Sequence, residues 1–294
     1  MRAFLALLRR EYLEHRGAFF YAPLVLLGLL VGFIVLVLAS HHVDFALDFA
    51  AREPAKLYDL AYFGVGTLWW LYLAMMLFFY FADAYHADTR NNAMLFWKSM
   101  PVGDYAIMLS KFLAGLTVFP GLLFAVLLIS GLLLIATVLV LPLVVAGLAM
   151  ASPPALAAAW ATDSVIFLVY LVLVLLWYAP FLAWVGALST VVGRWSIPLA
   201  LLLPVGASLF EGVINFQTAP GGSYILTYLR ERVSFERQTG VLYGAILSPQ
   251  PIDIGALTGR LVAAIDWPQV AYGLLFAIVV LYLAARYRRR VIKG

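Results

Sequence analysis

The sequence predicts an all-α protein that crosses a membrane several times, and three observations carry that prediction. Of its 294 residues, 65% are hydrophobic and 12% charged, with a mean hydropathy of +0.99. Soluble domains are about half apolar and a quarter charged. Several apolar runs exceed the ~20 residues that cross a ~30 Å hydrocarbon core as helix. Those runs are continuous, which excludes the short alternating strands of a membrane β-barrel. The chain has no cysteine, so disulfides and thiolate metal sites are excluded as well.

Residues 1–17 predict an interfacial helix. Phe4, Leu5, Leu8 and Tyr12 fall on one face, with Arg2, Arg9, Arg10 and Arg16 largely opposite. The apolar run behind them is too long for a cleaved leader, so 19–39 is expected to be a retained first span. Further spans are expected at 61–81, 112–138, 164–190, 196–214 and 269–285. The uncharged stretch 112–153 could hold one span or two, and charge placement decides. With six spans, both termini and the segments 82–111 and 191–195 share one side. That side carries thirteen of the nineteen lysines and arginines, most of them in short segments. Positive residues in short loops favour the cytoplasm, so both ends are expected there. Residues 139–163 then form an apolar outer connection, with Asp163-Ser164 as an N-cap. Pro198, Pro204 and Gly206 predict a break in the fifth span. The extracytoplasmic loop 215–268 carries Leu226, Leu229 and Val233 at helical spacing between Gly and Pro punctuation, which predicts short helices.

Much chemistry is missing from the sequence. It has no phosphate-binding G-x-x-x-x-G-K-[ST] loop, no H-E-x-x-H and no G-x-S-x-G. No ionisable residue falls near the middle of an expected span, whereas ion-coupled transporters and intramembrane proteases use such groups. His41-His42 with Asp44 and Asp48, and Asp83 with His86 and Asp88, are simplest as hydrated helix ends, and no metal site is assigned. The outer loop offers carboxylates but no histidine, so no catalytic residue is assigned and the chain is not expected to be an enzyme.

The most informative segment is 82–111. Charged residues flank an apolar knot, Met94 to Trp97, with Met100-Pro101 behind it. Exposed aromatic surface of this kind implies a cover, most simply a partner protein. The runs Asp88-Thr-Arg90 and Leu95-Phe-Trp-Lys-Ser-Met-Pro-Val102, ending at Lys111, resemble the cytoplasmic link of bacterial ABC type-2 permeases, the membrane subunits of ABC exporters. Thr89 separates the acid from the base here, so a tight acid–base dipeptide is not assumed. The layout of the whole chain resembles that family; the specific motif covers only the segment.

The resemblance implies one permease domain over 1–294 in a bacterial inner membrane, paired with a second copy or a paralogue. It implies two copies of a separate ATPase subunit, which would bind the ATP and magnesium; no cofactor is expected in this chain, and no nucleic-acid partner. The link would form a coupling helix, with Leu95, Phe96 and Trp97 as its seat, Arg90 and Lys98 as its charged rim, and Pro101 behind. Small residues in the second span (Gly64, Gly66, Thr67) and the expected break in the fifth suggest that these two spans meet at the dimer centre. Trp69, Trp70, Leu203 and Phe210 would then face a path for a hydrophobic or amphipathic cargo. The rival expectations are a transporter or channel that uses no ATP, and a membrane anchor for a sensor complex.

Overall fold

The computed structural model describes residues 2–40, 54–87, 103–144, 148–214, 224–248, 250 and 252–291. Among these residues there is no strand, and six helical stretches are long and apolar enough to cross a membrane: Ala3–Ala39, Pro54–Ala84, Asp104–Val144, Pro153–Val192, Ser196–Ile214 and Trp267–Arg290. The protein is an all-α, multi-pass membrane protein.

The first stretch joins α1 (Arg2–Arg16) to α2 (Ala22–Ser40) through a π-helical turn, Gly17–Tyr21. The expected interfacial helix is therefore not separate. Nothing at Arg16-Gly17 ends the hydrogen-bond ladder, so α1 runs on into the span. The third stretch is built the same way: α4 (Asp104–Leu113), a π turn (Ala114–Val118) and α5 (Phe119–Val144). The two π turns adjoin, and the Phe19 and Phe119 rings stack at 3.9 Å between them.

The second span, α3 (Pro54–Ala84), packs against α5 and against α6 (Pro153–Val192). Helix α6 is the most buried of the six and also receives α7 (Ser196–Ile214) and α11 (Trp267–Val291). Between lipid-facing helices the drive comes from close packing rather than from expulsion of water, and α3, α5 and α6 supply it with glycines set under aromatic rings. A Cβ on Gly131 would lie 2.6 Å from both the Tyr62 and Trp160 rings; Gly186 abuts Tyr85, and Gly66 abuts Phe167.

Three expectations change. Asp163 is not an N-cap: the cap position is Ser152, and Pro153-Pro154 open the helix, where a missing N–H costs nothing. The alanine-rich stretch behind them extends the helix back through the expected connection. The fifth span is not broken: α7 continues through Pro204 and Gly206, because one lost backbone bond is tolerable in an otherwise intact helix. Lys56, a charge near the edge of a span where solvation is the ordinary expectation, is 3% exposed.

Past α7, the short helices α8 (Tyr224–Ser234), α9 (Glu236–Ile246) and α10 (Ile254–Ala263) fulfil the expectation for the last loop. They do not merely cap the bundle. Trp177 Nε1 in α6 donates to the Arg232 carbonyl at 2.7 Å, and the Arg232 guanidinium sits 4.3 Å over the Trp177 ring. Burial lowers the Arg232 pKa from the ordinary arginine value, but a guanidinium stays charged in proteins.

Candidate functional site

One end of the bundle gathers the N-terminal helix, the end of α3, all of α4, the α6–α7 turn and the end of α11. These are the segments that charge placement groups on one side. The centre of this end is a buried ion pair: Lys111 Nζ lies 3.0 Å from Glu11 Oε1, and both residues are almost wholly inaccessible. The Tyr80 hydroxyl is shared between Glu11 Oε2 at 3.1 Å and the Lys111 carbonyl at 3.0 Å. Its ring meets His15 and Phe119 edge-on. Helices α1, α3 and α4 are thus joined by charge, hydrogen bond and aromatic contact at one point.

This end frames the segment 88–102, which lies outside the described residues together with Arg90, Leu95, Phe96, Trp97, Lys98 and Pro101. Its flanks are described, and both are fixed. On the entering side, Tyr85 is buried and its hydroxyl donates to the Met108 carbonyl at 3.2 Å. Behind it the Ser196 hydroxyl donates to the Ala82 carbonyl at 3.1 Å. His86, weighed above as a metal ligand, packs against Gly193, whose φ of +57° turns the chain from α6 into α7. On the leaving side, Asp104 opens α4, where a carboxylate suits the helix dipole. It lies 3.8 Å from Arg288 Nε and accepts from Arg289 Nε at 3.3 Å. Arg288 is 2% exposed. Beside this pair, Tyr105, Tyr282, Arg286, Arg289 and Arg290 line a cleft of about 290 Å³.

The four residues expected on a cargo path are not brought together within this chain. Trp69 is buried and donates from Nε1 to the Ser130 hydroxyl at 3.1 Å, which ties α3 to α5. Trp70 lines a small cavity of about 40 Å³ with Thr67, Phe167, Tyr170 and Leu242. Leu203 and Phe210 sit on the outer face of α7, 46% and 69% exposed. Of the small residues in α3, Gly66 is occupied by Phe167 while Gly64 is open.

Sequence reading missed a second polar cluster at the other end of the bundle. Lys56 and Asp59 in α3 meet Asp163 in α6, and all three are buried. The i, i+3 spacing of Lys56 and Asp59 was visible; the partner residue 104 positions away was not.

Comparisons with protein-family models, with curated proteins and with solved structures gave no match.

Proposed function

We propose that this chain is the membrane-spanning subunit of an ATP-driven exporter of the ABC type-2 permease class, acting as a dimer with a separate ATPase subunit. The observation that carries the reading is the frame around 88–102. The segment with the family-like run Leu95-Phe-Trp-Lys-Ser-Met-Pro-Val102 leaves α3 and enters α4 at two points held by buried contacts. A push on that segment would therefore reach α3 through Tyr85, and α4 through Asp104 and Lys111, instead of dissipating in a slack loop. The two π turns just beyond offer places to bend, as such turns do at functional sites. On this reading the energy arrives mechanically from a partner that binds ATP and magnesium. The cargo is hydrophobic or amphipathic, and the arginine-rich end faces the cytoplasm of a bacterial cell.

The test is Phe96→Ala combined with Trp97→Ala. Truncating aromatic anchors at an interface costs about 2 kcal/mol or more, so affinity for the ATPase subunit should fall at least ~30-fold while membrane insertion stays normal. Unchanged subunit recovery and unchanged ATP-dependent export would refute the proposal.

A transporter driven by an ion gradient is the second reading. One observation favours it: the buried Lys56–Asp59–Asp163 cluster, a kind of group that ion-coupled carriers use. Uptake into vesicles that follows an imposed proton gradient without ATP would select it.

A further inference from the structure

We propose that Lys56, Asp59 and Asp163 form a proton-binding site, which holds one exchangeable proton between the two carboxyl groups and thereby ties α3 to α6. Lys56 is 3% exposed, Asp59 6% and Asp163 1%. Lys56 Nζ lies 3.5 Å from Asp59 Oδ2, and the Asp163 carboxyl faces Asp59 across the helix interface, which the neighbouring Tyr62–Ser164 bond closes at 2.8 Å. Ionised carboxylates only accept hydrogen bonds, so two facing carboxyl groups can bond each other only with a proton on one of them.

Charge balance gives the same count. One ammonium and two carboxylates leave a net negative charge, and an uncompensated buried charge is far costlier than a neutral set. One proton makes the set neutral. Among the described residues Asp163 Oδ2 has no hydrogen-bond partner, so no neighbour saturates it in place of the proton. A bound metal cation fits less well, because the Lys56 ammonium already supplies positive charge beside Asp59.

Among the described residues, no other group in reach changes this count. The Tyr58 hydroxyl donates to the Gly131 carbonyl at 3.3 Å, and Tyr62 shares a 2.8 Å bond with Ser164. Helix α5, packed on both α3 and α6, carries no charge. Glu211 of α7 accepts the backbone N–H groups of Tyr224 and Ile225. At α10, Asp253 caps the helix through Ala256 N and Arg260 bonds the Ala256 carbonyl. Asp266 accepts from Gln269 N at the start of α11, and the arginines of α11 lie at its other end. Arg232 sits over Trp177.

Loss of the proton to water would leave two facing carboxylates and one ammonium, and would drive α3 and α6 apart at this end. The site is thus both a bond and a sensor of the pH on its own side. It stands under either functional reading above, since it depends only on the three side chains.

The experiment is infrared spectroscopy of the purified full chain in lipid nanodiscs, in H2O and D2O. At pH 7 the wild type should show the C=O stretch of a protonated carboxylic acid, shifted by deuterium. Asp163→Asn, which imitates the protonated acid, should remove that band and keep the wild-type thermal midpoint. Asp59→Asn should remove it too. Lys56→Met should raise it about twofold, because without the ammonium both carboxyls must be neutral. A band missing from the wild type, or one that persists in folded Asp163→Asn and Asp59→Asn proteins, overturns the proposal.

Discussion

Removing Lys111 offers the sharpest test of how the arginine-rich end is held. At the observed 3.0 Å, the attraction between Lys111 and Glu11 is about 5–6 kcal/mol at an effective dielectric constant near 20. Desolvation of the two ions offsets much of that in the folded state. The perturbation is therefore asymmetric. Lys111→Met leaves the Glu11 carboxylate buried with, among the described residues, the Tyr80 hydroxyl at 3.1 Å, and breaking a buried pair from one side costs about 3–5 kcal/mol. Because Tyr80 remains, the lower part of that range is expected. Lys111→Met with Glu11→Gln removes both charges, and the amide oxygen can still accept from Tyr80. The double variant should then cost about 2–3 kcal/mol less than the sum of the singles. Equilibrium unfolding in mixed micelles, followed by tryptophan fluorescence, measures all three. A Lys111→Met cost below ~1 kcal/mol, the range of exposed pairs, or strictly additive singles would show that water reaches this pair and that the joint between α1, α3 and α4 is not what holds this end.

Gly131→Ala and Gly186→Ala should each cost about 1–3 kcal/mol by overpacking, since their Cβ atoms would press into Tyr62 with Trp160 and into Tyr85; Gly64→Ala, with open space around it, is the matched control, and equal thermal midpoints for all three would refute the packing account. For topology, a cysteine at Tyr224, which is 76% exposed, should react with an impermeant maleimide from outside the cell, and one at Lys98 should not. Labelling at Lys98 from outside would overturn the six-span arrangement.

The spans were legible because hydropathy is a property of runs, and the longest runs in this chain are spans. Their ends were less legible for a physical reason. Helix α6 has 40 residues and extends about 60 Å, whereas the hydrocarbon core is about 30 Å. The excess is made of alanine and mildly polar residues that a hydropathy window assigns to a connection. Asp163-Ser164 before an apolar run has the form of a helix start, but Ser152-Pro153-Pro154 has it too, and only the continuous helix decides between them. The same error hid the polar cluster. Lys56 and Asp59 share a face of α3 with the buried residues Phe63 and Gly66, yet a charge at a span edge is ordinarily solvated, and nothing local announces that α6 covers it. The aromatic knot at 94–97 was legible as composition; its setting was not, because Tyr85, Asp104 and Arg288 meet only through the fold.

Helix α3 connects the two polar ends and has properties suited to transmit force between them. Its last turn carries Tyr80 and leads directly into Tyr85, bonded to Glu11, Lys111 and Met108. Its first turns carry Lys56 and Asp59. It has 31 residues with proline only at its first position, so it extends about 46 Å without an internal break. Its neighbours differ: α1–α2 and α4–α5 each contain a π turn, and those turns lie near the end framed by Tyr80. A displacement applied at 88–102 would bend the neighbours at these turns but tilt α3 as a unit. The tilt would be felt at the far end, where the proposed proton between Asp59 and Asp163 would join α3 to α6. If the proposed proton site and the proposed ATPase coupling both hold, they are not independent. Closing the partner subunits should change how readily Asp163 exchanges its proton, and the proton-free protein should resist α3 tilt less, since the bond that opposes it is gone. Measuring the deuterium-sensitive carboxyl band with and without trapped nucleotide, in the complex, decides whether α3 acts as that rod: a band that does not respond to nucleotide would mean that the two ends move separately.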